Sequence, residues 1–179
     1  MLRNIWRELK ILVRIVVLMW LSYGFSLFLP LVAFGIVPRE PHGLYGILCA
    51  PFLHGNIPHL LNNSILFLVF GVLYCLLEGK HLLGLFIFLT TVGGFGTWLI
   101  GAHGVHIGAS GVVFGLWSHL IFMAWFKRRL KYILVATLIV VVYGSLIYGL
   151  APWQKFISWE SHVCGALAGI LSARLYRTA

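Results

Sequence analysis

The sequence predicts an all-α polytopic membrane protein, a six-transmembrane-helix bundle with both termini on the cytoplasmic side. Three observations predict it. First, 61% of the 179 residues are apolar and 9% are charged, with a mean hydropathy of +0.99; a soluble domain carries about 25% charge. Second, the apolar residues fall into long runs, and a helix needs roughly 20 of them to cross a hydrocarbon core. Third, the 13 Lys and Arg residues cluster between those runs rather than spreading over a surface.

The first span is read as 11–33. It follows Arg3, Arg7 and Lys10, with Arg14 just inside it, and so has the look of a secretory signal. The apolar run continues to about Val37, however, and has no small-residue cleavage pattern. It is therefore expected to be an uncleaved transmembrane helix. Residues 34–58 come next, punctuated by Pro38, Pro41, Pro51 and Pro58, which argue against a regular span. Their apolar side chains (Leu44, Tyr45, Ile47, Leu48, Phe52, Leu53) argue equally against an aqueous loop, so an embedded interfacial loop is expected. The remaining spans are read as 60–77, 82–101, 110–126, 132–150 and 159–176. Trp6, Trp20, Trp153 and Trp159 suit interface anchors. One membrane domain over 1–179 is expected, with no soluble domain and no internal repeat.

Charge distribution orients these spans. With the N-terminus in the cytoplasm, one side receives Arg3, Arg7, Lys10, Arg14, Lys80, Lys127, Arg128, Arg129, Lys131, Arg174 and Arg177, and the other only Arg39 and Lys155. Spans two, four and six then run from outside to inside, so their N-terminal ends share one level near the outer face. The net charge of +9 is thus a topology signal, and nucleic acid is excluded as a partner. Cys49, Cys75 and Cys164 are isolated and make neither a disulfide framework nor a metal spacing. His103 and His106 lie in a Gly-rich external loop without a His-Glu-x-x-His motif or a nearby carboxylate, so no metal site is expected. There is no aspartate, and the glutamates are Glu8, Glu40, Glu78 and Glu160. That absence excludes a Ser-His-Asp triad and any two-aspartate protease.

Chemistry-bearing residues converge at the shared level. His59 and Asn63 open span two, Ser110 opens span four within Gly108-Ala-Ser-Gly111, and His162 opens span six. A serine hydroxyl becomes a nucleophile when a base takes its proton, and histidine has the pKa for that at neutral pH. Gly111 and Gly115 on one span, and Gly165 and Gly169 on the other, form small-xxx-small pairs that let membrane helices approach closely. Ser110 at a helix start offers unpaired backbone N–H groups, and His59 and Asn63, at i and i+4, supply side-chain donors for an oxyanion. Phe114, one turn below Ser110, is placed to lie against the His162 ring. Singly, each feature reads as helix packing or a satisfied buried polar group. Together they read as hydrolytic, because ionisable residues within spans are costly. The run is not a Gly-x-Ser-x-Gly elbow, since Val112 takes the last position. His81 reads as interfacial and His119 as packed.

Three segments, His59-Leu-Leu-Asn-Asn63, Gly108-Ala-Ser-Gly111 and His162-Val-Cys-Gly165-Ala-Leu-Ala-Gly169, taken in this order on spans two, four and six, resemble the rhomboid family of intramembrane serine proteases. The resemblance implies a dyad of Ser110 as nucleophile and His162 as general base. It implies an oxyanion site of His59, Asn63 and the Ser110 N–H, and no cofactor. It further implies that His54 helps to keep water near the site, that 34–58 is the embedded first loop, that 150–158 form a cap, and that span five is a lateral gate. Pro38-Arg39-Glu40 stands where many members carry a Trp-Arg pair, and Glu78 is the candidate for a glutamate near the cytoplasmic end of span two. Expected partners are transmembrane protein substrates and membrane lipid; the expected location is a bacterial inner membrane. The competing expectations are a rhomboid-like protein that binds transmembrane helices without cutting them, and a small transporter. Missing repeats and few intramembrane carboxylates weigh against the transporter.

Overall fold

The computed structural model describes residues 2–152 and 157–178. They form α1 (Leu2–Ser26), α2 (Gly46–Cys49), α3 (Ile57–Glu78), α4 (Leu82–Ile100), α5 (Ser110–Lys127), α6 (Leu130–Tyr143) and α7 (Trp159–Leu175), with no strand among the described residues. Helices α1, α3, α4, and α6 with its continuation to Leu150, are long and apolar enough to cross a membrane. Helix α7 has 17 residues, and most of α5 from Val112 to Leu120 is buried. Helices enclosed by other helices need no lipid-facing surface. The outer helices have one: Val17, Leu21 and Phe25 on α1 and Leu134, Leu138 and Val141 on α6 are exposed. Such a band requires an apolar surrounding.

Local chemistry sets the boundaries. Helix α1 begins within the basic segment rather than at residue 11, because Arg and Lys are good helix formers wherever water reaches them. It ends at Ser26, ahead of the predicted residue 33, since Pro30 cannot continue the helix. Asn56 starts α3, its Oδ1 accepting from the His59 N–H at 2.8 Å. Gly79, at φ +67°, ends it, donating to the Cys75 carbonyl. The predicted fifth span, 132–150, is α-helical to Tyr143 and then tightens into a 3-10 helix, Gly144–Leu150. The loop 34–58 is irregular as expected, built from single turns: Pro41–Gly43, α2 and Ala50–Phe52.

Polar contacts define the two ends of the bundle. At one end, Glu8 of α1 accepts from the Leu82 N–H at the start of α4, at 2.8 Å. There too Lys127 donates to both carboxylate oxygens of Glu78 at 3.1 Å, and Tyr132 donates to Glu78 at 2.6 Å. At the opposite end, Arg39 donates to the Leu99 and Gly101 carbonyls at the C-terminus of α4, and Trp98 Nε1 donates to the Glu40 carbonyl. The Pro38-Arg39-Glu40 turn therefore anchors the 34–58 loop to α4. Helices α3, α5 and α7 all start at this second end, away from the basic clusters.

Helices α5 and α7 form the closest pair. A Cβ on Gly165 would overlap the Gly111 carbonyl, and one on Gly169 would overlap the Gly115 carbonyl and Ser118 Oγ. Such proximity brings polar groups into reach. Ser118 donates to the Ala166 carbonyl at 2.8 Å, and His119 Nδ1 and Ser172 Oγ are hydrogen-bonded at 2.7 Å. His119 is fully buried, in line with its reading as a packed residue.

Candidate active site

The starts of α3, α5 and α7 surround a cavity of about 930 Å³ lined by Ser110, His162, His59, Asn63, Phe114 and Gly149, among others. All four residues singled out for chemistry thus face one space. Ser110 is the first residue of α5, following Ala109, and no side chain caps that end. Its N–H is one of the donors a helix start leaves without a partner.

His162 is buried and held on two sides. Its ring stacks on Phe114 with centroids 4.1 Å apart and planes 13° from parallel. Its Nδ1 lies 2.8 Å from the Gly149 carbonyl. A carbonyl only accepts, so Nδ1 carries the proton and Nε2 keeps the lone pair. The imidazole is thereby fixed in orientation and tautomer with no carboxylate, through a backbone oxygen supplied by the 3-10 turn after α6. Sequence reasoning found Phe114 and missed Gly149. A carbonyl is common to every residue, so nothing in the residue types points to it.

Gly108 links the other two residues to the loop that precedes Ser110. Its φ is +108°, a conformation for which glycine is suited. A Cβ there would lie 2.5 Å from His59 Nε2 and 3.2 Å from Asn63 Nδ2. The His59 ring and the Asn63 amide therefore press against the backbone two residues before Ser110. Asn63 Nδ2 donates to His54 Nε2 at 3.1 Å, leaving its second hydrogen for another acceptor. His54 is buried, and burial, with the charge of neighbouring His59 adding and the Phe52 carbonyl opposing, pushes its pKa down to about 4. It is a neutral acceptor at physiological pH, as the bond from Asn63 requires.

Among the described residues, no hydrogen bond joins Ser110 Oγ to the His162 ring. His103 is exposed, whereas His106 is buried and bonded to Ala102 and Ser158, which its Gly-rich surroundings did not suggest. Glu160 is also buried, accepting from the Ala102 N–H at 3.0 Å. Residues 153–156, which hold Trp153, Lys155 and the middle of the expected cap, lie outside the described residues.

The chain is similar in sequence to several curated proteins. An uncharacterized protein of Mycobacterium tuberculosis is 37% identical over 150 residues, covering 79% of this chain and 62% of the relative. An uncharacterized protein of Mycobacterium leprae is 35% identical over 141 residues, covering 74% of this chain and 56% of the relative. Rhomboid-like protein 11, chloroplastic, of Arabidopsis thaliana is 32% identical over 142 residues, 71% of this chain and 50% of that protein. The chain thus spans between half and two thirds of the length of these curated relatives. Residues 41–179, which include every site residue above, match the family described as Rhomboid domain, and the chain belongs to the rhomboid family.

Proposed function

We propose that this protein is a six-span intramembrane serine endopeptidase, with both termini cytoplasmic, that cleaves transmembrane substrate proteins near the outer membrane face. Ser110 is the nucleophile. His162 Nε2 takes its proton and later returns it to the leaving amine, while the Ser110 N–H, His59 and Asn63 stabilise the oxyanion. The observation that carries this reading is the hold on His162: a ring clamped by Phe114 and by the Gly149 carbonyl, with Nε2 left unprotonated, lines the same cavity as Ser110. The basic end of the bundle supports the cytoplasmic placement of both termini, and the exposed apolar residues support an integral membrane location, which we take to be a bacterial inner membrane. Lipid and single-span proteins are the proposed partners. Substrate helices must unwind near the outer face, because their carbonyls are otherwise hydrogen-bonded.

Reconstitution with a single-span reporter in H₂¹⁸O tests the reading. The expected result is two fragments, with ¹⁸O in the new carboxyl terminus. A reporter that co-purifies intact would favour helix binding without cleavage.

A further inference from the structure

We propose that His106 is a positioning residue that sets Ser110 against His162; the proposal rests on reading those two as nucleophile and base. Because they share no hydrogen bond here, their separation is fixed by whatever holds the starts of α5 and α7. Glycine contact sets how near the two helices come, and contacts of the segments ahead of them hold their starts as well.

His106 lies in the connection 101–109 that delivers Ser110, and it is 8% exposed. Its backbone pairs in both directions with Ile36, at 2.9 and 2.8 Å, which ties the connection to the 34–58 loop. Its side chain reaches the other way. Nε2 lies 2.9 Å from the Ala102 carbonyl, so it carries the proton, and Nδ1 accepts from the Ser158 hydroxyl. Ser158 directly precedes α7; its carbonyl accepts from the His162 N–H at 3.3 Å, and its Oγ is hydrogen-bonded to Ser161 Oγ at 2.9 Å. A second tie runs parallel, from the Ala102 N–H to Glu160. One imidazole therefore joins the segment four residues before Ser110 to the residue four before His162.

The test uses the full chain in liposomes, comparing His106→Ala, His106→Asn, Ser158→Ala and the double alanine variant. Misplacing a reacting group by about 1 Å costs up to about 100-fold in rate. His106→Ala and Ser158→Ala are expected to lower kcat by about 10- to 100-fold with KM nearly unchanged. The double variant should be about as slow as the slower single, since the His106–Ser158 bond is lost in each. In His106→Asn the Oδ1 stands near the Nδ1 position and accepts from Ser158, so most of the rate should return. Hydrogen exchange should quicken at 101–110 and 157–162 in the alanine variants and not in His106→Asn. Unchanged exchange, a loss confined to KM, or no rescue by asparagine would overturn the proposal. An inactive wild type would defeat the protease reading instead, and the exchange measurements would still decide the clamp.

Discussion

Ser110→Ala and His162→Ala are each expected to abolish reporter cleavage, lowering kcat by at least about four orders of magnitude while the protein stays folded. In the proposed dyad the two groups act as a unit, so the double variant should be no worse than either single one. Without His162 no base takes the hydroxyl proton, and a neutral serine is a poor nucleophile. Without Ser110 the remaining donors have no attacking atom to serve. His162→Ala also empties the space beside Phe114 and frees the Gly149 carbonyl, so unfolding should be measured alongside activity. Undiminished cleavage by Ser110→Ala would end the dyad reading outright.

Gly165→Ala is expected to cost nearly as much activity with every proposed catalytic group present. Its new methyl would overlap the Gly111 carbonyl and lie 2.7 Å from the Gly111 carbonyl carbon and 3.0 Å from its Cα, all backbone atoms that cannot rotate away. The helices must part, and Ser110 and His162 part with them. Overpacking typically costs about 1–3 kcal/mol, which should appear as a lower midpoint of thermal unfolding together with lost cleavage. Gly24→Ala on α1 is the matching control, because a Cβ there meets nothing within 4 Å. It should leave both measurements at or slightly above wild type. Equal behaviour of the two variants would show that the close approach of α5 and α7 is unimportant.

The parts of this architecture that depend on residue type were legible in the sequence. Long apolar runs located the helices, and four prolines marked residues 34–58 as irregular. The glycine pairs on spans four and six point to the close approach that α5 and α7 make. Boundaries were read less well for a physical reason: hydropathy reports where lipid can lie, whereas a helix continues wherever its backbone stays paired. Hence α1 reaches back through Arg3, Arg7 and Lys10, and stops before apolar Leu27 to Leu29.

The same distinction separates what was found in the site from what was missed. Ser110, His162, His59, Asn63 and Phe114 announce themselves by their side chains. Gly149 acts through a carbonyl that any residue would carry, and its approach to His162 depends on the 3-10 turn after α6. His106 lies in the Gly-rich loop as read, but no residue type signals that its ring reaches Ser158 at the head of α7. Glu160, the one acidic residue on α7, acts there as an acceptor for the Ala102 N–H.

Active-site labelling asks whether Ser110 is an activated nucleophile. The protein, purified and reconstituted in liposomes, is treated with a fluorophosphonate, digested and analysed by mass spectrometry. A single adduct on the Ser110 hydroxyl is expected, absent in Ser110→Ala and nearly absent in His162→Ala. No adduct on the wild-type protein, or an adduct that persists in Ser110→Ala, would contradict that role for Ser110.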